Sequence, residues 1–166
     1  MITLRLATLE DASRIQKIAE DTWPISYEGI ISPNQIRYML DLMYSKTKIE
    51  TAIKDQNQAF WLADKDGETL GFCSIEFGNP SSEYLRIHKL YLLPETQGLG
   101  IGKLLIDKIT HEGLSHELSF LHLNVNKHNK AFHFYQKLGF EVEREEVIDI
   151  GNDYIMDDFV MVKAIR

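Results

Sequence analysis

Residues Leu90 to Lys108 read LYLLPETQGLGIGKLLIDK. The stretch is the end of an apolar strand, a turn at Pro94, and a glycine ladder at Gly98, Gly100 and Gly102 that runs straight into a helix. Gln97 stands before the ladder and Lys103 behind it, and nothing in the segment can act as a nucleophile. What it offers is a row of backbone N–H groups at a helix N-terminus, and such a row binds phosphate. Glycine removes the Cβ atoms that would hold a ligand off the backbone. The segment therefore predicts a pyrophosphate-bearing ligand.

Spacing separates the glycine-rich phosphate loops. A P-loop requires G-x-x-x-x-G-K-[ST], and Gly102-Lys103 supplies the GK, but position 97 is Gln and position 104 is Leu. A dinucleotide fingerprint requires G-x-G-x-x-G; Gly98 and Gly100 fit, but position 103 is Lys. Gln97, Gly100 and Gly102 fit a third pattern, Q/R-x-x-G-x-G/A. That is the acetyl-CoA signature of the GNAT N-acetyltransferases, and the chain resembles that family. Asn126 to Phe140, NKHNKAFHFYQKLGF, is similar to the family's N-x-x-A-x-x-F-Y-x-K-x-G-F element. With the flanking strands the resemblance covers essentially the whole chain. The overall pattern, including the tail YIMDDFVMVK, is most similar to bacterial polyamine-acetylating members.

The 166 residues suit one domain, 1–166, with a sizeable core. Hydrophobic residues make up 44% and charged residues 26%, ordinary for a soluble globule. No apolar run approaches the roughly 20 residues of a membrane span, and MITLRLATLEDA lacks the layout of a signal peptide. A lone Cys73 in an apolar strand pattern forms no internal disulfide, so a cytoplasmic location is expected. Formal net charge is −7 with no Lys/Arg cluster, which argues against nucleic acid. The negative charge suits a cationic substrate such as a polyamine, or merely solubility. His111-Glu112 and His116-Glu117 lack the second histidine of H-E-x-x-H, so no metal is expected.

The alternation ITLRL gives a strand over 2–6. Thr8 then reads as the N-cap of a helix from about Glu10 to Asp21, with Asp11 in a capping-box position. Trp23-Pro24 ends that helix, since proline disfavours helix in the residue before it. Ser32-Pro33 starts a second helix, and a further one spans Lys46 to Lys54. Ala59–Asp64 and Thr69–Phe77 form a hairpin around Asp66-Gly67, and Glu83–Leu93 is the next strand. The helix after the glycines runs to about Gly113. Phe120–Val125 is a strand, and Lys127–Leu138 is a helix stopped by Gly139. Phe140–Ile148 and Asp157–Lys163 close the chain as paired strands. The resemblance implies a mixed α/β fold, with one mostly antiparallel sheet of about seven strands flanked by helices. Its order is β-α-α-β-β-β-α-β-α-β-β.

The resemblance also implies the site. The amides of Gln97, Gly98, Leu99, Gly100, Ile101, Gly102 and Lys103 face the pyrophosphate of acetyl-CoA. The backbone of Leu90, Tyr91 and Leu92 pairs with the pantetheine arm. Asn124 and Asn129 occupy positions that hydrogen-bond pantetheine in relatives, although Asn129 equally suits a helix N-cap. The side chains of Lys103 and Lys137 are candidates for phosphate contact.

Acetyl transfer must strip a proton from an alkylammonium, whose pKa is on the order of 10.4 for lysine, and return one to the departing thiolate. The motif places Tyr135 beside the thioester sulfur as the acid; core packing is the alternative use of that residue. Alternation puts Tyr84, Arg86, His88 and Leu90 on one side of a strand. Relatives carry a Glu or His base at positions matching Arg86 or His88. Arginine cannot serve as a base, so the role passes to His88, with Glu83, Glu76 or an ordered water as alternatives. Acceptors in the family enter over Asp21 to Ser45, where Trp23, Tyr27 and Glu28 combine aromatic faces with a carboxylate suited to an amine. The acceptor is a small amine or a peptide amine. The rival readings are protein N-terminal or lysine acetylation, and a non-catalytic acetyl-CoA-binding module. An exposed strand or tail near the C-terminus would allow a homodimer across a two-fold axis.

Overall fold

The computed structural model describes residues 1–56 and 58–166. Seven strands form a mostly antiparallel sheet in the order β1-β2-β3-β4-β5-β7-β6, flanked by helices. The elements are β1 (Thr3–Leu6), α1 (Ala12–Ser26), α2 (Pro33–Tyr44), α3 (Lys46–Lys54), β2 (Ala59–Lys65), β3 (Glu68–Phe77) and β4 (Tyr84–Leu92). They continue with α4 (Ile101–Ser115), β5 (Phe120–Asn126), α5 (Ala131–Lys137), β6 (Glu141–Gly151) and β7 (Tyr154–Ala164). The expected mixed architecture is present. The three helices read from the sequence all precede β2, where the family order has two; Ser45 takes an extended backbone that ends α2 and then caps α3 by accepting from Lys48 N–H at 3.2 Å.

The chain divides into two compact units, residues 1–76 with 87–109, and residues 77–86 with 110–166. In the first, β1, β2 and β3 pair antiparallel. Ala12, Ile15, Ile18 and Ala19 of α1 are buried, as helical spacing requires, along with Leu62, Phe72 and Ile75 from the strands. Pro24 lies inside α1, not beyond its end. The last turn survives the proline because tertiary packing holds it. Trp23 (2% exposed) and Tyr27 (5%) stack with ring centroids 4.4 Å apart, and Tyr27 N–H still bonds Trp23 O at 3.0 Å. Burial of two large aromatic rings outweighs the local cost of a missing helical hydrogen bond.

Thr8 and Asp11 meet as the sequence predicts, with Thr8 N–H donating to Asp11 Oδ2 at 2.8 Å. The turn they begin is a short 3-10 segment, Leu9–Asp11, and α1 follows it. Asp11 has a larger role than capping. The Arg5 guanidinium donates to both of its oxygens at 2.9 Å, while Arg5 Nε donates to Asp64 Oδ2 at 2.6 Å. One arginine thus ties β1 to the start of α1 and to β2.

In the second unit β5 pairs antiparallel with β7 and β7 with β6. The β6–β7 hairpin turns on Asn152 and Asp153, both at positive φ, and its strands reach further than the sequence predicts. Helix α5 is shorter than predicted and begins at Ala131, not Lys127. Asn126 Oδ1 accepts from His128 N–H and Asn129 Oδ1 from Ala131 N–H, each at 2.9 Å. Side-chain amides here bond nearby backbone and replace the first helical turn.

The Arg5 pair holds the Asp11 carboxyl down at about 2. A depressed acid contributes stability above its unfolded value and loses it as pH falls through the folded one. Asp11→Asn is expected to cost about 2 kcal/mol at pH 7 and to lower the thermal midpoint. The difference from wild type should vanish as pH approaches 2 in parallel urea titrations.

Candidate active site

The glycine loop of the first unit has the geometry the sequence predicts. After Leu92 a 3-10 turn over Pro94–Thr96 leads to Gln97, and Gly98 (φ +86°) and Gly100 (φ +75°) take the left-handed conformation that favours glycine. A Cβ built at either would meet no atom within 4 Å, so both glycines border open space. Gln97 to Gly100 are exposed. The first helical bond of α4 is Leu104 N–H to Gly100 O at 3.1 Å, so the amides of Ile101, Gly102 and Lys103 precede the helix's own run of hydrogen bonds. Lys103 Nζ reaches Asp107 at 2.8 Å across one exposed helical turn.

Strand β4 alternates as expected, with Leu85 and Ile87 buried on one face and Arg86 and His88 half-buried on the other. His88 Nε2 lies 2.9 Å from Glu76 Oε1. The pair joins the predicted base to the carboxylate predicted as its substitute. Glu83 sits just before the strand, where its backbone carbonyl accepts from Ser119 N–H at 2.8 Å.

Trp23 and Tyr27 are not the open aromatic faces expected for an acceptor. Both are buried in a cluster that includes Tyr44 and Tyr91, whose ring centroids lie 5.7 and 5.8 Å from that of Trp23. The Tyr27 and Tyr91 hydroxyls are 3.4 Å apart. Burial of the mostly apolar ring area explains the difference. Glu28 is exposed beside them. A separate cavity of about 320 Å³, bordered by Arg14, Lys17, Asp21 and Glu68, contains none of the predicted site residues.

In the second unit Tyr135 is 7% exposed, with its ring edge-on to Phe134 and Phe140 at 5.2 and 5.5 Å. Asn129 is not the N-cap of α5, which is Lys130; its Oδ1 accepts from Ala131 N–H in the turn before the helix, and Lys137 is exposed at the end of α5.

Asn124 belongs to a network that sequence reasoning missed. Arg86 Nη1 lies 2.7 Å from His122 Nδ1 and donates to Asn124 Oδ1 at 3.1 Å. Asn124 Nδ2 donates in turn to Asp158 Oδ2 at 3.3 Å. A guanidinium only donates, so His122 Nδ1 must accept and the ring carries its proton on Nε2. His122 is 4% exposed, and burial followed by the charge of Arg86 pushes its pKa down to about 4. Burial pushes the Asp158 carboxyl up to about 6. These residues come from three strands, so no local motif announces them. Their one signal is polar residues at alternate positions of apolar strands, His122 and Asn124 in FLHLNVN.

The chain matches the acetyltransferase (GNAT) domain family over residues 26–156, and it belongs to that family of N-acetyltransferases. Two relatives cover nearly all of it. An uncharacterized N-acetyltransferase, YuaI, of Bacillus subtilis is 31% identical over 91% of this chain and 87% of its own length. A spermidine N(1)-acetyltransferase of Thermoplasma acidophilum is 29% identical over 94% of this chain and 96% of its own. Among solved structures, the PaiA N-acetyltransferase from Thermoplasma acidophilum, in complex with coenzyme A, superposes with a TM-score of 0.83 at 27% identity, covering 99% of both chains.

A buried histidine with a depressed pKa favours the neutral form, so its contribution to stability is lost as pH falls from about 6.5 through about 4. In an NMR titration His122 is expected to stay neutral with Nε2 protonated until the pH nears 4. A midpoint near 6.5 would contradict its burial beside Arg86.

Proposed function

We propose that this chain transfers the acetyl group of acetyl-CoA to the primary amine of a small cationic acceptor, of which a polyamine is the leading example. The observation that carries the reading is the glycine loop, exposed and left-handed at Gly98 and Gly100, ending on the leading amides of α4. Such amides, with the favourable field of a helix N-terminus, suit the pyrophosphate of acetyl-CoA. The PaiA structure was solved with coenzyme A, and a relative acts on spermidine. Both facts support the proposal. Acetyl-CoA supplies an activated acetyl thioester; the roles below belong to the chain.

The backbone of Leu90, Tyr91 and Leu92 takes the pantetheine arm, and the exposed side chains of Lys103 and Lys137 screen phosphate charge. The Nδ2 group of Asn129 is proposed for pantetheine, its Oδ1 being taken by Ala131 N–H. Asn124, engaged at both ends of its amide, instead belongs to the buried chain from Arg86 to Asp158. Tyr135 donates a proton to the departing thiolate, for which a neutral phenol is suited at pH 7. His88, oriented by Glu76, takes the proton of the amine. Glu28, exposed beside the aromatic cluster, is proposed to meet the acceptor. A cytoplasmic location belongs to the same proposal, supported by the single buried Cys73; no described helix is long and apolar enough to cross a membrane.

The test is release of CoA thiol from acetyl-CoA with spermidine, spermine, small amino acids, aminoglycosides and lysine peptides. Saturable turnover with polyamines is expected. Turnover confined to peptides would replace the acceptor, and tight acetyl-CoA binding without turnover on any amine would favour a binding module. Tyr135→Phe is expected to lower kcat on the order of 10²-fold with little change in acetyl-CoA affinity. An unchanged kcat would remove Tyr135 from the chemistry. His88→Ala is expected to abolish the ascending acid limb of the kcat profile, and an identical profile would exclude it as the base.

A further inference from the structure

The register of β5 on β7 pairs His122 with Val162, Asn124 with Val160 and Asn126 with Asp158. Paired residues of an antiparallel ladder share a face. One face of this ladder therefore carries His122, Asn124, Asn126 and Asp158 beside Val160 and Val162, with Arg86 reaching it from β4. Residues at the alternate positions, Leu121, Leu123, Val125 and Met161, are apolar and buried. Polar groups buried among apolar neighbours each require a partner.

The hydrogen bonds run in one direction. Arg86 donates to Asn124 Oδ1, which turns Nδ2 toward Asp158 Oδ2. The chain then stops. Asp158 is 6% exposed, and its Oδ1 is buried with no hydrogen-bond partner among the described residues. A carboxylate oxygen can only accept, so whatever completes it must donate.

The surroundings define the charge of that donor. Glu146 of β6 pairs with Asp158 in the ladder, and Asp157 precedes it on β7; both add negative charge, though each has a cation of its own, Arg144 at 3.2 Å from Glu146 and Lys127 at 2.9 Å from Asp157. The Arg86 charge lies beyond Asn124 and opposes them more weakly. His122, also on this face, is neutral at pH 7. A neutral donor would leave the buried charge uncompensated, whereas an alkylammonium would satisfy both the lone pair and the charge.

We propose that Asp158 is the carboxylate that receives an alkylammonium group of the acceptor, with Asn124 and Arg86 as positioning residues behind it. The inference rests on the acetyl-transfer reading and deepens it. It makes the acceptor a cationic amine selected by charge, and it gives a role to a residue of β7 that no motif marked. With its pKa raised to about 6, the carboxyl is ionised at pH 7. A raised acid contributes stability below its unfolded value near 3.8 and loses it as pH rises through about 6, so at neutral pH the fold is held against this charge.

The test is Asp158→Asn, which preserves shape and removes charge. The KM for spermidine is expected to rise about 10- to 100-fold, the range for one lost charge-assisted hydrogen bond, with kcat and the KM for acetyl-CoA little changed. The thermal midpoint at pH 7.5 is expected to rise, because a desolvated charge has gone. Amine affinity of the wild type should strengthen as pH rises through about 6, and that of the variant should not. A merely structural aspartate would lower the midpoint and leave the KM alone, overturning the proposal. Calorimetry of spermidine binding to the CoA-loaded protein separates the two readings. If the wild type acetylates no amine but binds spermidine, and the variant does not, the docking role stands without the transfer reading. Equal binding by both proteins, or none by either, overturns it.

Discussion

The leading amides of α4 cannot be satisfied from within their own helix, because no carbonyl lies one turn ahead of them. In this chain those amides are not capped by a preceding Ser, Thr, Asp or Asn. They follow two left-handed glycines, Gly98 and Gly100, that border open space. The segment before them is arranged accordingly. β4 ends at Leu92, Leu93 N–H holds to Leu70 O at 2.9 Å, and the 3-10 turn at Pro94 redirects the chain toward the ladder. A ligand with a concentrated negative charge is the natural complement, and a pyrophosphate meets that need without any charged side chain.

The buried charges of the second unit follow a different rule. A backbone cradle tolerates many substitutions, whereas a buried charge must be matched atom by atom. Arg86, His122, Asn124 and Asp158 share two charged groups and one neutral imidazole, and the hydrogen-bond directions follow from the fact that arginine only donates. Depression of His122 and elevation of Asp158 have the same origin, burial on one strand face. A network with one unfilled acceptor costs the free protein stability. Retaining it is intelligible if a cationic partner completes it.

Much of the fold was legible because local patterns and local structure agreed. Helix α3 occupies the predicted Lys46–Lys54, Ser32-Pro33 opens α2 with the Ser32 hydroxyl accepting from Gln35 N–H at 3.1 Å, and the Asp66-Gly67 hairpin turns where the dipeptide indicates. The loop and its glycines were readable from spacing alone. Other features were not, for two physical reasons. Pro24 stays helical because Trp23 and Tyr27 are buried in an aromatic cluster, a tertiary effect that overrides a local signal. That same burial removes the aromatic faces the sequence offered to an acceptor. The Arg86–Asp158 chain depends on strand register across β4, β5 and β7, and register is not written in any one segment.

The account stands most directly on the claim that the loop amides bind the cofactor. ¹⁵N–¹H spectra of the labelled protein, recorded as acetyl-CoA is added, test that claim residue by residue. The amides of Gly98, Gly100, Ile101, Gly102 and Lys103 should show the largest shifts, saturating together with one dissociation constant. Saturable binding that leaves these amides unmoved while perturbing another surface would contradict the account at its foundation.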